Sequence, residues 1–335
     1  MDPAVSESLG PDDGSHIVIL YGSEIMGSLE GCGCMGNPKL GGFPYRVAVA
    51  KAIASAHPEV GILQLDAGYS ASPITNQSGS VPPEFVASLE TTYAALSGSG
   101  FAAVNVTAQD VLMARAFLGT GGAEDRYAGM LVSANLEPIS ASYRAPAGFV
   151  VRRVARAGGK GNVDIAVVGV TEYPGRLDPS TGFKVTEARG ALERAIGEAR
   201  GKADLIIVLA YMPAAAAGTL FGSLETKPDV VIVANSFGAG SADGSVMGAG
   251  LEPRLDGPMK VVYSWYKTQK LGVLRLKLDD LNHVESATNL YVKLDAPIVP
   301  DEAAEAMVTR QKEAVRAAKE ARYRAEGVQV TNAAP

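Results

Sequence analysis

The stretch His16-Ile17-Val18-Ile19-Leu20-Tyr21-Gly22-Ser23-Glu24-Ile25-Met26-Gly27 decides the fold. Its first half is a short unbroken apolar run. A run of that kind reads as a strand buried on both faces, which is the habit of parallel sheets. Gly22 then opens a loop over 22–42 that carries seven glycines and both cysteines, Cys32 and Cys34. In open α/β sheets the chemistry collects beyond the carboxyl ends of the strands, so this loop is the first candidate site.

The same pattern recurs downstream. Val60–Leu65 stops at Asp66-Ala67-Gly68-Tyr69, and 102–106 leads into Thr107-Ala108-Gln109-Asp110. The strands over 205–210 and 230–234 end at Tyr211-Met212 and at Asn235-Ser236-Phe237. Helices are expected over 45–56, 83–96, 109–118 and 185–200, and further strands over 129–133, 260–265, 271–278 and 291–294. The segments 149–155 and 163–170 pair across a Gly158–Gly161 turn. Antiparallel strands enter in the second half. The layout predicts an α/β fold, a four-layer α/β/β/α sandwich in which short apolar strands alternate with covering helices.

Residues 1–15 read as a disordered leader, 16–298 as the sandwich, and 299–335 as a C-terminal helix with a loose tail. The span 301–326 has no Gly or Pro and a thin apolar stripe of Ala304, Met307, Val308, Val315 and Ala318, which suggests a surface or linker helix. The glycine-rich stretch 238–250 lacks Gly-Lys-Ser/Thr and reads as a flexible loop rather than a phosphate cradle.

Of the 335 residues, 47% are hydrophobic and 20% charged, an ordinary globular balance. The net charge of −6 and the lack of a basic cluster outside the C-terminal segment argue against a nucleic-acid surface. No stretch approaches the ~20 apolar residues of a membrane helix. The polar start lacks the apolar core of a signal peptide.

The ordered set of strand-end loops resembles the 5'-nucleotidase branch of the calcineurin-like metallophosphoesterases. Gly41-Gly42-Phe43-Pro44-Tyr45-Arg46 resembles that family's Gly-Gly-x-x-x-Arg helix start. Ser133-Ala134-Asn135, Gly169-Val170-Thr171 and the strand from Ala203-Asp204 to Leu209 resemble its supporting segments. The resemblance covers roughly 16–295 and implies two metal ions held by Asp, Asn and His side chains. At the matching positions this chain has Glu24, Met26, Tyr69, Thr107, Ala108, Tyr211, Asn235 and Phe237. Only Glu24 and Asn235 keep a hard oxygen donor. Phenols ionise near pH ~10 and are poor ligands at neutral pH. All three histidines, His16, His57 and His283, lie outside these loops.

The expectation is therefore a catalytically inactive relative that binds no metal or other cofactor and acts as a binding or scaffold subunit through the altered cleft or the 301–326 helix. Glu24 is expected to bond loop amides, Asp66 to brace its loop, and Asp110 to cap the helix that follows. Tyr69 and Tyr211 either line a new pocket or fill the old one. The Cys-Gly-Cys resembles a subset of exported nucleotidase-like proteins associated with multihaem cytochromes, which implies an extracytoplasmic place and such a partner. Little foldable chain remains after 300 for the family's second, substrate-binding domain. Two alternatives stand beside this reading. One is a hydrolase with a metal site rebuilt from Glu24, Asp66, Asp110 and the cysteines. The other is a thiol redox role for Cys32 and Cys34, against the plainer reading of structural thiols or a strained disulfide.

Overall fold

A computed structural model describes residues 14, 16–31, 40–73, 81–119, 127–173, 175–234 and 251–327. The leader 1–13, the Cys32–Cys34 turn, the 238–250 loop and the tail beyond 327 lie outside them. In chain order the elements begin with β1 (Ile17–Gly22), α1 (Phe43–Ala56), β2 (Gly61–Asp66), α2 (Pro83–Gly98), β3 (Phe101–Asn105), α3 (Val111–Ala114), β4 (Leu131–Val132), β5 (Leu136–Pro138) and β6 (Phe149–Ala155). They continue with β7 (Asn162–Thr171), β8 (Phe183–Val185), α4 (Ala188–Arg200), β9 (Leu205–Tyr211), α5 (Ala214–Ser223), β10 (Val230–Ala234), β11 (Lys260–Tyr263), β12 (Lys270–Leu278), β13 (Val284–Lys293) and α6 (Glu302–Ala325).

Two sheets face each other. One has the order β13-β12-β1-β2-β3-β4 and the other β11-β10-β9-β7-β6. β1 explains why its sequence is apolar throughout. Ile17, Ile19 and Tyr21 point between the sheets, while Val18 and Leu20 point to α1. Every residue of the strand is buried. β1 pairs in parallel with β2 and antiparallel with β12, so the closing strands return to the first. Helices α1, α2 and α6 cover one sheet and α4 and α5 the other, giving the four layers that the strand pattern predicts.

Several boundaries differ from expectation. The helix expected over 185–200 starts at Ala188, because Phe183–Val185 pairs with β5 instead. The span 109–118 is one short α turn followed by a 3-10 turn. The strand at 291–294 starts at Val284 as a long hairpin partner of β12, which its alternating polar residues concealed.

The two sheets approach closely at Gly169. A Cβ there would sit 2.5 Å from both Val132 O and Asn105 Oδ1. Asn105 Nδ2 spans this seam, donating to Val170 O at 2.9 Å and Ala67 O at 3.2 Å. Gly169→Ala is expected to destabilise the protein by about 2 kcal/mol, the usual scale for forced overpacking against backbone. A urea melt reads this. Gly148→Ala, whose Cβ has 4.0 Å to its nearest neighbours, serves as the tolerated control. Equal midpoints for the two variants would contradict a tight seam.

Helix α6 is the C-terminal surface helix that the 301–326 span predicts. It is capped by Asp301, whose side chain accepts from Ala304 N, and it carries acids in its first turn and arginines in its last. The first part of its apolar stripe is buried against the body of the fold. Ala304 and Val308 join the cluster of Leu89, Tyr93 and Leu96 on α2. Among the described residues no helix is long and apolar enough to cross a membrane.

Candidate functional site

The loops after β1, β2 and β3 meet at the carboxyl edge of the six-stranded sheet. The first two are laced together by backbone. The amides of Glu24, Met26 and Gly27 donate to the carbonyls of Gly68, Tyr69 and Ser70 at 2.8, 3.0 and 2.8 Å. This lacing requires left-handed backbone at Glu24 (φ 60), Met26 (φ 52) and Tyr69 (φ 63). Non-glycine residues seldom adopt that conformation, at a cost of about 1–2 kcal/mol each. Lys267 (φ 47) and Thr268 (φ 52) share it in the turn after β11, where Thr268 Oγ1 accepts from Gly42 N at 3.1 Å. Ser23 and Ser264 join their hydroxyls at 2.5 Å.

Each carboxylate of the site is already engaged. Among the described residues Glu24 makes no bond to the loop amides that its position in the sequence suggests as partners. Its Oε1 instead accepts from Tyr211 Oη at 3.2 Å. The reason is directional: the backbone lacing leaves the first loop's amides pointing at the second loop. Burial pushes the Glu24 carboxyl up to about 7, with the Tyr211 hydrogen bond opposing. Asp66 Oδ2 accepts from Arg46 Nη1 at 2.9 Å, and its Oδ1 from Gly68 N at 3.1 Å. Burial lifts this carboxyl to about 6 against the pull of the guanidinium.

Asp110 stands at the N-cap position of α3, but its side chain makes no capping bond there. Its carboxylate turns back to accept from Thr107 N (2.9 Å), Thr107 Oγ1 (2.8 Å), Ala71 N (2.8 Å) and Tyr69 N (3.2 Å). It therefore joins the second and third loops. Burial raises its pKa while these donors oppose the rise.

The centre is aromatic. Tyr69 and Tyr211 meet edge to face, their centroids 5.8 Å apart at 79°. Burial pushes the Tyr69 phenol up to about 12 and the Tyr211 phenol well above its ordinary value, so both are neutral donors at pH 7. Met26 is half-buried, and Thr107 and Ala108 are buried. Asn235, Phe237, Cys32 and Cys34 lie outside the described residues.

A dinuclear metal centre does not fit the described side chains. Glu24 faces a phenol, Asp66 faces a guanidinium, and Asp110 is filled by donors. Tyr69 and Tyr211 are protonated, and Met26 and Ala108 offer nothing to a hard cation. Among the described residues no three Asp, Glu, His or Cys side chains group around a common point.

The sequence reading missed Lys267, whose charge is felt by Glu24, and the Ser23–Ser264 contact. Neither carries a local signal, since both depend on the β11–β12 turn folding back over the first loop. A cavity of about 390 Å³ lies beyond β7 and β9, lined by Thr171, Glu172, Met212 and Leu220.

No sequence-family model matches the chain, and no curated protein does. Solved structures match its fold. The sulfate thiohydrolase SoxB of Thermus thermophilus superposes with a TM-score of 0.66 at 15% identity, over 91% of this chain and 61% of that one. A 5'-nucleotidase precursor from the same species gives 0.65 at 17% identity, over 90% and 59%. The calcineurin-like phosphoesterase YfkN of Bacillus subtilis gives 0.60 at 14%, over 91% and 99%. The chain thus spans about three fifths of the length of the first two. With its two facing sheets, its helical outer layers and its loops gathered at the carboxyl edge, the chain has the fold of the 5'-nucleotidase-type metallophosphoesterases.

Proposed function

We propose that this chain is a non-catalytic member of that fold, acting as a binding or scaffold subunit. The observation that supports this best is the contact between Glu24 and Tyr211, with Tyr69 packed against it, at positions where the family resemblance implies metal ligands. A hydrolase with two metals needs several hard donors and a bridging carboxylate to hold ions ~3.5–4 Å apart. Here the described carboxylates, Glu24, Asp66 and Asp110, are committed to protein partners. The rebuilt-site alternative is weakened by the same bonds, because using Asp66 or Asp110 as a ligand would strand Arg46 or several loop amides.

Elemental analysis of the purified chain, paired with turnover of a nitrophenyl phosphate, tests this. Mn, Zn and Fe are expected well below one ion per chain, with no turnover when these ions are added. Two stoichiometric ions with turnover would overturn it.

On the Cys-Gly-Cys resemblance we further propose an extracytoplasmic complex with a multihaem cytochrome. Recovery of the chain from native extracts without any haem protein would count against that partner. A redox role for Cys32 and Cys34 stands as the second reading. It predicts free thiols that change with reductant, and an unchanged thiol titration would remove it.

A further inference from the structure

Gln311 sits on the buried stripe of α6, 5% exposed, where an apolar residue would pack more simply. Every polar atom of its amide is engaged. Oε1 accepts from Leu29 N at 2.9 Å. Nε2 donates to Ser88 O at 3.2 Å and to Thr92 Oγ1 at 2.9 Å. Ser88 Oγ in turn donates to Gly27 O at 2.6 Å. A buried amide is tolerated only with its partners made, so this side chain serves connection rather than packing.

The residues it reaches continue the strained first loop. Glu24 and Met26 hold left-handed backbone, and strain of that kind persists only where the surroundings over-determine it. One side of the loop is fixed by the carbonyls of Gly68, Tyr69 and Ser70. The other side is fixed at Gly27 and Leu29 by α2 and α6. Helix α6 is itself pinned by Arg322, which bonds Glu84 at 2.7 Å, and by Lys312, which pairs with Glu30 at 2.8 Å.

We infer that α6 is a strap: it holds the 23–31 loop in its strained conformation through Gln311, so that displacing α6 loosens the loop and the Glu24–Tyr211 contact it carries. A force or partner acting on the C-terminal helix is thereby read at the cleft. This goes beyond the proposed function and holds whether the cleft is catalytic or not.

Amide hydrogen exchange of the full chain, read by mass spectrometry at neutral pH, tests the strap. Gln311→Ala should speed exchange in the peptide spanning 22–31 by about tenfold, while peptides from β7 and β9 stay within about twofold of wild type. Arg322→Ala removes an accessible pin far from the loop and should raise the same peptide's exchange by about threefold. Unchanged exchange at 22–31 in both variants overturns the inference. So does a rise there no larger than in β7 and β9, which marks general loss of stability. If Gln311→Ala does not fold, Arg322→Ala decides by the same comparison.

Discussion

Asp66→Ala is expected to lower stability by about 3–5 kcal/mol, the cost of leaving a buried charge without its partner. Arg46 is 1% exposed and lies beneath the site, with Nη1 on Asp66 and Nη2 donating to Leu65 O at 2.8 Å. Its guanidinium rests over the Phe101 ring, 4.5 Å from the centroid. Even the wall behind it is shaped to fit, since a Cβ on Gly22 would come within 2.7 Å of Nη1. Burial lowers the Arg46 pKa, yet with no carboxylate the group still has to be buried as a cation or drawn toward water. The variant also releases the Gly68 amide, so the second loop should loosen. Chemical denaturation measures the loss. The double variant Asp66→Leu with Arg46→Met should recover much of it, because a hydrophobic pair of similar volume avoids desolvating two ions. A double variant no more stable than Asp66→Ala would mean that the pair is a net contributor rather than a mutual necessity.

Glu24→Gln should make the protein more stable than wild type at pH 8 and leave it unchanged near pH 4. The folded carboxyl titrates at about 7 against 4.5 for the ordinary group, chiefly through burial. Below pH 4.5 both folded and unfolded states carry it protonated, and its contribution to stability is fully present. As pH rises, the unfolded chain ionises first. The advantage is lost through about pH 7, by an amount of order 3 kcal/mol at ~1.4 kcal/mol per unit. Glutamine keeps an oxygen for Tyr211 Oη but cannot ionise. Thermal melts of both proteins from pH 4 to 8 give the difference directly, and taking the difference cancels the opposite trend of exposed pairs such as Arg153–Asp164. A constant difference across that range would place Glu24 in solvent contact.

The site was only partly legible before folding. The strand-end loops could be read because hydrophobic runs and their glycine stops are local. That Met26, Tyr69, Thr107, Ala108 and Tyr211 stand in those loops was legible for the same reason, since each lies a fixed distance from a strand end. The partner of each carboxylate was not. Asp110 follows a turn and precedes a helix, which reads as a cap, yet its donors are the amides of Tyr69 and Ala71 and the amide and hydroxyl of Thr107, all outside that helix. Tyr211 and Glu24 are 187 residues apart, and nothing in either neighbourhood announces the other. The C-terminal helix shows the same division. Its length follows from composition, whereas its docking depends on Ala304 and Val308 meeting α2 and on Gln311 meeting Ser88 and Thr92.

By itself the sequence determined the layers and the order of the strand-end loops, because burial on both faces favours an unbroken apolar run whose end marks the start of the loop. Only the tertiary structure decided what became of the cleft. The partners of the loop side chains are set by how two sheets and three loops converge, and that convergence brings together a Tyr69–Tyr211 contact, a buried Glu24, and Asp66 and Asp110 tied to protein donors.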